Sequence, residues 1–228
     1  SPMSRGLGDV YKRQLYIPML KLADKGVMNK TLLKLVSQNT RQPVETEGDV
    51  YSLAACNDIG CTRLVEMMKE FEIDDLKELS DFIYDKSLSA VENEIKKIPN
   101  GEYKNSMMID GFENDIQLEA KLTVSNNSIT VDYTGTSDKS KFGINVPLSY
   151  TKAYTCFGLS CLVSAEVPNN AGSLKPFEID APLGSILNAP YPAAVCARHI
   201  IGQMLPDVVF GCLETVSYTH LTLPTNGC

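Results

Sequence analysis

The chain has 228 residues, 43% hydrophobic and 21% charged, and its 28 acidic and 21 basic residues give a formal net charge of −7. That length supports one large or two small globular units with a sizeable core. The acidic balance argues against a nucleic-acid surface, which needs clustered Lys and Arg, and no apolar run approaches the roughly 20 residues of a membrane helix.

From Leu15 to Lys25 the chain reads as an extended entry ending at Gly26. Asn29 is the N-cap of a short amphipathic helix carrying Leu32, Leu33, Leu35 and Val36, and Arg41-Gln42-Pro43 breaks it. A longer helix is predicted from Glu47. On it Val50, Leu53, Ala54, Asn57, Cys61, Leu64, Val65 and Met68 recur at i, i+3, i+4, i+7 and form an inward stripe. Asn57 is a buried-polar candidate there. Asp74 caps a third helix running to about Lys97, with Leu76, Leu79, Phe82, Ile83, Leu88, Val91 and Ile95 inward, and Pro99-Asn100-Gly101 ends it.

A strand over Gly101–Ile109 leads into a hairpin. Ile116, Leu118, Ala120, Leu122 and Val124 alternate with polar residues, the period of a half-buried strand. Ser125-Asn126-Asn127-Ser128 is the turn, because Asn tolerates positive φ, and Ile129, Val131 and Tyr133 resume the alternation. Pro147 opens an apolar, central helix. Asn169–Gly172 is a turn, Phe177–Ile179 a short strand and Pro182–Ser185 another turn. Pro192 starts a last helix that Pro206 interrupts. The class is α+β: helices lead, a small antiparallel sheet lies in the middle, and further helices follow.

Cys56/Cys61 and Cys156/Cys161 are i, i+5 pairs with no CxxC motif and no histidine cluster, so zinc is not indicated. They read as buried free thiols. With no apolar secretory segment near the start, the expected location is cytoplasmic.

Several residues could carry chemistry. Asp110 and Asp132, at the ends of what read as adjacent strands, could contact substrate, partner or metal, or could merely cap turns. Thr134, Gly135, Thr136 and Ser137 form a loop rich in hydroxyls that could hold an oxyanion or amide, although local turns explain them equally well. No base stands beside them in sequence, so a nucleophilic role is unsupported. Arg198 could clamp a carboxylate, and His199 could act as an acid or base near neutral pH. Both also fit a helix surface or an interface. Asn145, Asn170 and Gly172 could line the same site or simply make turns. There is no GxxxxGK[ST] and no GxGxxG, so nothing in the sequence cradles ATP.

The segment Val131–Ser137 followed by Gly143-Ile144-Asn145 resembles the hydantoinase B/oxoprolinase family. Further matches lie in order along the chain. They include Arg41-x-Pro43, Gly48-Asp49, Ala54-Ala55-x-Asn57-x-x-Gly60-x-x-Arg63-Leu64, Ile98-Pro99-x-Gly101-x-Tyr103, Ile109-Asp110, Asn170-x-Gly172, Pro182-x-Gly184-Ser185 and Pro192-Ala193-x-Val195-x-x-Arg198. No one piece is specific; their common order carries the resemblance, which covers roughly Leu15 to Thr215.

The resemblance implies the B-type subunit of an ATP-dependent hydrolase of five-membered cyclic amides such as hydantoin or 5-oxoproline. It implies an A-type ATP-binding partner in a hetero-oligomer, and a divalent metal in the complete complex. It also implies that the family's Asp/His metal motifs lie upstream of Leu15, leaving no metal ligand in this chain. Two alternatives fit the same motifs: an acetone carboxylase alpha-type subunit, and a non-catalytic module that docks the A-type subunit. Residues 3–14 and 216–226 fit no family pattern and resemble translated adapter sequence. The expectation is therefore an internal fragment, residues 15–215, inactive alone, between non-native ends at 1–14 and 216–228.

Overall fold

The computed structural model describes residues 17–40, 42–112 and 114–220, with side chains described as far as Glu214. The expectation for residues 1–14 and 221–228 falls outside the described residues. The chain divides into two compact units, one ending at Glu78 and one starting at Leu79.

In the smaller unit, β1 (Ala23–Asp24) and β2 (Val27–Met28) form a short antiparallel hairpin. Lys25 and Gly26 turn it at φ 49° and 81°. The α1 helix (Lys30–Asn39) starts where Leu32 N donates to Asn29 Oδ1 at 3.1 Å, satisfying one of the orphan donors of a helix start. It buries Leu32, Leu33 and Val36. The α2 helix (Pro43–Glu70) begins earlier than the apolar repeat indicates, because Pro43 is preorganised for a first turn.

Although α2 packs on α1, none of its residues is fully buried, and Leu53, Ile59, Leu64 and Val65 are exposed. The inward stripe expected on α2 is therefore uncovered. Asn57, Cys56 and Cys61 are exposed too, which corrects their assignment as buried. A 3.6-residue repeat marks the side of a helix suited to covering; it does not supply the element that covers it.

The α3 helix (Lys77–Ile95), which belongs to the larger unit from Leu79 on, is capped by Asp75 rather than Asp74: Lys77 N donates to Asp75 Oδ1 at 2.9 Å. Only its C-terminal half meets the core, through Ser87, Val91 and Ile95, while Leu79, Phe82 and Ile83 stay exposed. The sheet comprises β3 (Gly101–Ile109), β4 (Ile116–Ser125), β5 (Ser128–Asp132) and β6 (Phe177–Asp180), in the order β3-β4-β5-β6. Asn126 turns the β4–β5 hairpin at φ 53°, placing Ser125 opposite Ser128. The β6 strand joins β5 in parallel, so the small antiparallel sheet gains a parallel edge. The crossover this requires runs through α4 (Leu148–Val163) and the single turn α5 (Ala171–Leu174).

One face of the sheet builds the core. Ile116, Leu118, Ala120, Leu122, Val124, Ile129 and Val131 are buried together with Leu159 of α4 and with Leu205, Val208, Val209 and Leu213 of α7 (Leu205–His220). Each large aliphatic side chain removed from water there contributes roughly 1.5–3 kcal/mol. The α4 helix is not buried all round, since Phe157 and Cys161 are exposed. Its buried face is made largely of small residues, including Thr151, Thr155, Gly158 and Ser160, which lets α7 approach closely. No helix begins at Pro192. The α6 turn (His199–Gly202) precedes α7, and Pro206 sits in the first turn of α7, where a missing N–H costs nothing. Residues 216–220 continue α7. Among the described residues, no helix is long and apolar enough to cross a membrane.

Candidate functional site

The second face of the sheet carries the alternate, polar side chains. Lys104 lies opposite Lys121, Lys121 opposite Asp132, and Asp132 beside Asp180, so one row of charges crosses all four strands. Like charges directly opposite in a sheet are destabilising. Asp132 relieves the lysine pair, with its Oδ2 3.8 Å from Lys121 Nζ.

Beyond Asp132 the chain stays beside β4 without forming a regular strand. Thr136 Oγ1 donates to Glu119 O at 3.2 Å and accepts from Glu119 N at 3.0 Å. Ser137 repeats the arrangement on Gln117: its Oγ accepts from Gln117 N, and its N–H donates to Gln117 O, both at 2.9 Å. Hydroxyls thus take the place of ladder bonds. Gly135, at φ 102°, permits the bend, and a Cβ there would meet Glu119 Cγ at 3.1 Å. Thr134 folds back on Asp132, donating to Oδ1 from its N–H at 2.9 Å and from Oγ1 at 2.6 Å.

These contacts set the electrostatics. The Thr134 hydroxyl bond, helped by the Thr134 N–H and the Lys121 charge and opposed by burial, holds the Asp132 carboxyl below the usual carboxylate range. Beside it lies an open cavity of about 250 Å³ lined by Lys104, Glu119, Ala120, Lys121, Asp132 and Thr134. Two ammonium groups on one rim suit a carboxylate or a similar anion. A carboxylate held this low is a weak base at neutral pH. The arrangement therefore favours binding and orientation over proton abstraction from Thr134.

The other residues singled out in the sequence are placed elsewhere. Asp110 follows β3 and is exposed. The β4 strand separates β3 from β5, so Asp110 and Asp132 are not on adjacent strands. Asp132 shares its row with Lys104, which leaves Asp110 about 20 Å further along the strand direction. Asn145 is fully buried. Its Nδ2 donates to the carbonyls of Ser140, Phe142 and Ala194, and its Oδ1 accepts from Ser140 N at 2.7 Å. Asn170 caps α5: its Oδ1 accepts from Gly172 N and Ser173 N, while its Nδ2 donates to Ser87 Oγ at 2.8 Å.

Arg198 is half-buried, donates to Val195 O at 3.3 Å and lies 5.3 Å from the Tyr150 ring centre. His199, the first residue of α6, is exposed. Of the residues expected to act together, only Asp132, Thr134, Gly135 and Thr136 form one neighbourhood. Lys104, Glu119 and Lys121 complete it without having been singled out from the sequence. Among the described residues no three His, Cys, Asp or Glu side chains are arranged to hold a metal ion. They do not fit the divalent metal that the resemblance implies.

The family described as hydantoinase B/oxoprolinase matches residues 2–226. The B-type subunit of a putative D-/L-hydantoinase from Pseudomonas sp. (strain NS671) is 28% identical, over 91% of this chain and 38% of its own length. The 5-oxoprolinase 1 of Arabidopsis thaliana is 24% identical, over 92% of this chain and 19% of its own. The chain thus spans well under half the length of these relatives.

Among solved structures, the ATP-dependent caprolactamase from Pseudomonas jessenii aligns with a TM-score of 0.81 at 20% identity, covering 91% of this chain and 36% of that one. A nucleotide-free acetone carboxylase aligns with a TM-score of 0.68 at 14% identity, covering 85% and 29%. The fold is shared with both. The chain belongs to the hydantoinase B/oxoprolinase family.

Proposed function

We propose that this chain is part of a B-type subunit that opens a cyclic amide of the hydantoin or 5-oxoproline class, coupled to ATP hydrolysis in an A-type partner. The observation that carries this reading is the family match over residues 2–226. The relatives' names, a hydantoinase and a 5-oxoprolinase, supply the reaction class. The polar face around Asp132 serves as an orienting surface: Lys104 and Lys121 attract an anionic group, while Asp132 and Thr134 keep the lysine pair ordered. The described residues gather no metal ligand set, so a divalent metal of the complete complex would be held by residues outside this region. The location is cytoplasmic, and the 228 residues alone do not turn over substrate.

The test pairs the complete parent subunit with its A-type partner and measures phosphate release with hydantoin, 5-oxoproline, or acetone plus bicarbonate. Release that depends on a cyclic amide supports the reading. Release only with acetone and bicarbonate replaces it with an acetone carboxylase alpha-type subunit; an acetone carboxylase structure shares the fold of this chain. Ring opening by the 228-residue chain without ATP would overturn the dependence on a partner. Alanine at Asp132, Thr134 and Arg198 that leaves turnover intact but weakens the complex would make this region a docking module.

A further inference from the structure

The α4 helix has two apolar faces. One, with Thr151, Thr155, Gly158 and Leu159, is buried against α7 and β6. The other carries Tyr150, Tyr154, Phe157 and Cys161, at i, i+4, i+7 and i+11. That 3.5-residue repeat draws a narrow seam of the kind along which one helix packs on another. Phe157 is 55% exposed, Cys161 is exposed, and Tyr150 and Tyr154 are half-buried. We infer that this seam is an interface between two copies of the chain. The copies pack α4 against α4, antiparallel, about a two-fold axis between Tyr154 and Phe157.

The seam is set before any partner arrives. The Tyr150 and Tyr154 rings stack with centres 4.6 Å apart at an interplanar angle of 16°. Gly202 of α6 closes on the Tyr150 ring so tightly that a Cβ there would strike it. Aromatic side chains held in this way lose little freedom on association and are the residue types that dominate interfaces. The charged residue of α4, Lys152, lies off the seam, so packing it away desolvates no charge on the helix.

Charge at the two ends selects a second copy and its direction. Arg198 stands over Tyr150 in the first turn of α4, the end of a helix that disfavours a cation. Beyond its bond to Val195 O, its guanidinium has no hydrogen-bond or carboxylate partner among the described residues. At the other end, the last turn of α4 carries no basic residue, and exposed Glu166 follows it. The carbonyl end of the helix is therefore uncompensated. An antiparallel pair sets Tyr150 against Cys161 of the second copy and brings each Arg198 to the carbonyl end of the other α4, beside Glu166 of the second copy. A parallel pair would bring the two arginines together.

The net charge of −7 on each copy opposes association. At about 0.15 M salt a Debye length of about 8 Å confines that repulsion to groups near the contact. A seam this short gives a contact below the roughly 800 Å² per partner of a standard interface, so the dimer is weak. The inference concerns assembly and holds whichever reaction the complete protein performs.

The experiment is sedimentation equilibrium of the full 228-residue chain, under reducing conditions, at concentrations spanning an expected dimer Kd of about 10–100 μM. Phe157→Asp alters an exposed side chain, so it should keep the wild-type circular dichroism spectrum and weaken the dimer about 10-fold or more. Arg198→Glu should weaken it too, and adding Glu166→Arg should restore it, a rescue that a purely local role for Arg198 would not give. Leu64→Asp, on the exposed side of α2, should leave the dimer unchanged. A chain that stays monomeric throughout overturns the interface. A dimer that survives in folded Phe157→Asp, or that Leu64→Asp abolishes, places self-association on another surface and overturns it equally. Failure of the charge exchange to rescue overturns the antiparallel pairing.

Discussion

Lys121 and Asp132 stand directly opposite each other across β4 and β5, the ammonium 3.8 Å from Oδ2 while Thr134 occupies Oδ1. Because these contacts depress the folded-state pKa of Asp132, their contribution is fully present above the ordinary value of 3.8. It is lost as pH falls through the depressed value. Asp132→Asn should therefore lower the thermal midpoint at pH 7, and the gap to wild type should close in acid. The side chain is about a third exposed, so screening keeps the effect within about 1 kcal/mol. Melting curves from pH 7 to strong acid measure this, and a gap that stays constant across that range would refute it.

Tyr133 and Thr155 make a hydroxyl pair inside the core, 2.7 Å apart, with both residues fully buried. Tyr133→Phe leaves the threonine hydroxyl without its partner, at an expected cost of about 1–3 kcal/mol. Adding Thr155→Val removes the orphaned group, so the double variant should be more stable than the sum of the single changes. Burial also pushes the Tyr133 phenol well above its ordinary pKa. Alkaline difference spectra should show this tyrosine ionising only when the protein unfolds. Denaturant titration of the four proteins closes the cycle, and simple additivity would remove the coupling.

The hairpin and half of the candidate site were legible for a physical reason. Strict alternation identified β4, and a two-residue Asn turn sets a hairpin's register, so counting back from Ser125 and Ser128 pairs Lys121 with Asp132. Lys104 was not legible. Its register depends on the longer β3–β4 connection, whose length does not dictate one alignment. Asn145 was singled out only as a lining or turn residue, because its partner Ala194 lies 49 residues away, beyond any local rule. The apolar repeat of α2 identified a helix without revealing that its stripe would lie open. The exposure of Cys56 and Cys61 follows from that same gap.

Asn145 pins the segment between Ser140 and Phe142 by engaging both hydrogens of its amide and its carbonyl oxygen. Asn145→Ala would leave buried main-chain groups unpaired, costing at least about 2 kcal/mol. Because Asn145 ties this segment to the core, amide exchange should quicken at Ser140 and Phe142 ahead of the β4 strand. Exchange that rises equally across the sheet would mean that Asn145 acts only through global stability.

Gly158 sets how closely α4 and α7 pack. A Cβ at this position would lie 2.8 Å from Pro206 Cα and 2.9 Å from Val209 Cγ2. The first contact is with main chain, which cannot rotate away, so the helices must separate. Replacing glycine by alanine normally favours a helix by roughly 0.5–1 kcal/mol. Here overpacking, typically about 1–3 kcal/mol, should exceed that gain and make Gly158→Ala destabilising. Gly60→Ala on α2 is the matched control, since nothing lies within 4 Å of its added Cβ, and it should be neutral or stabilising. Denaturant midpoints of the two variants check the opposite signs. A stabilised Gly158→Ala would show that the two helices can part without loss.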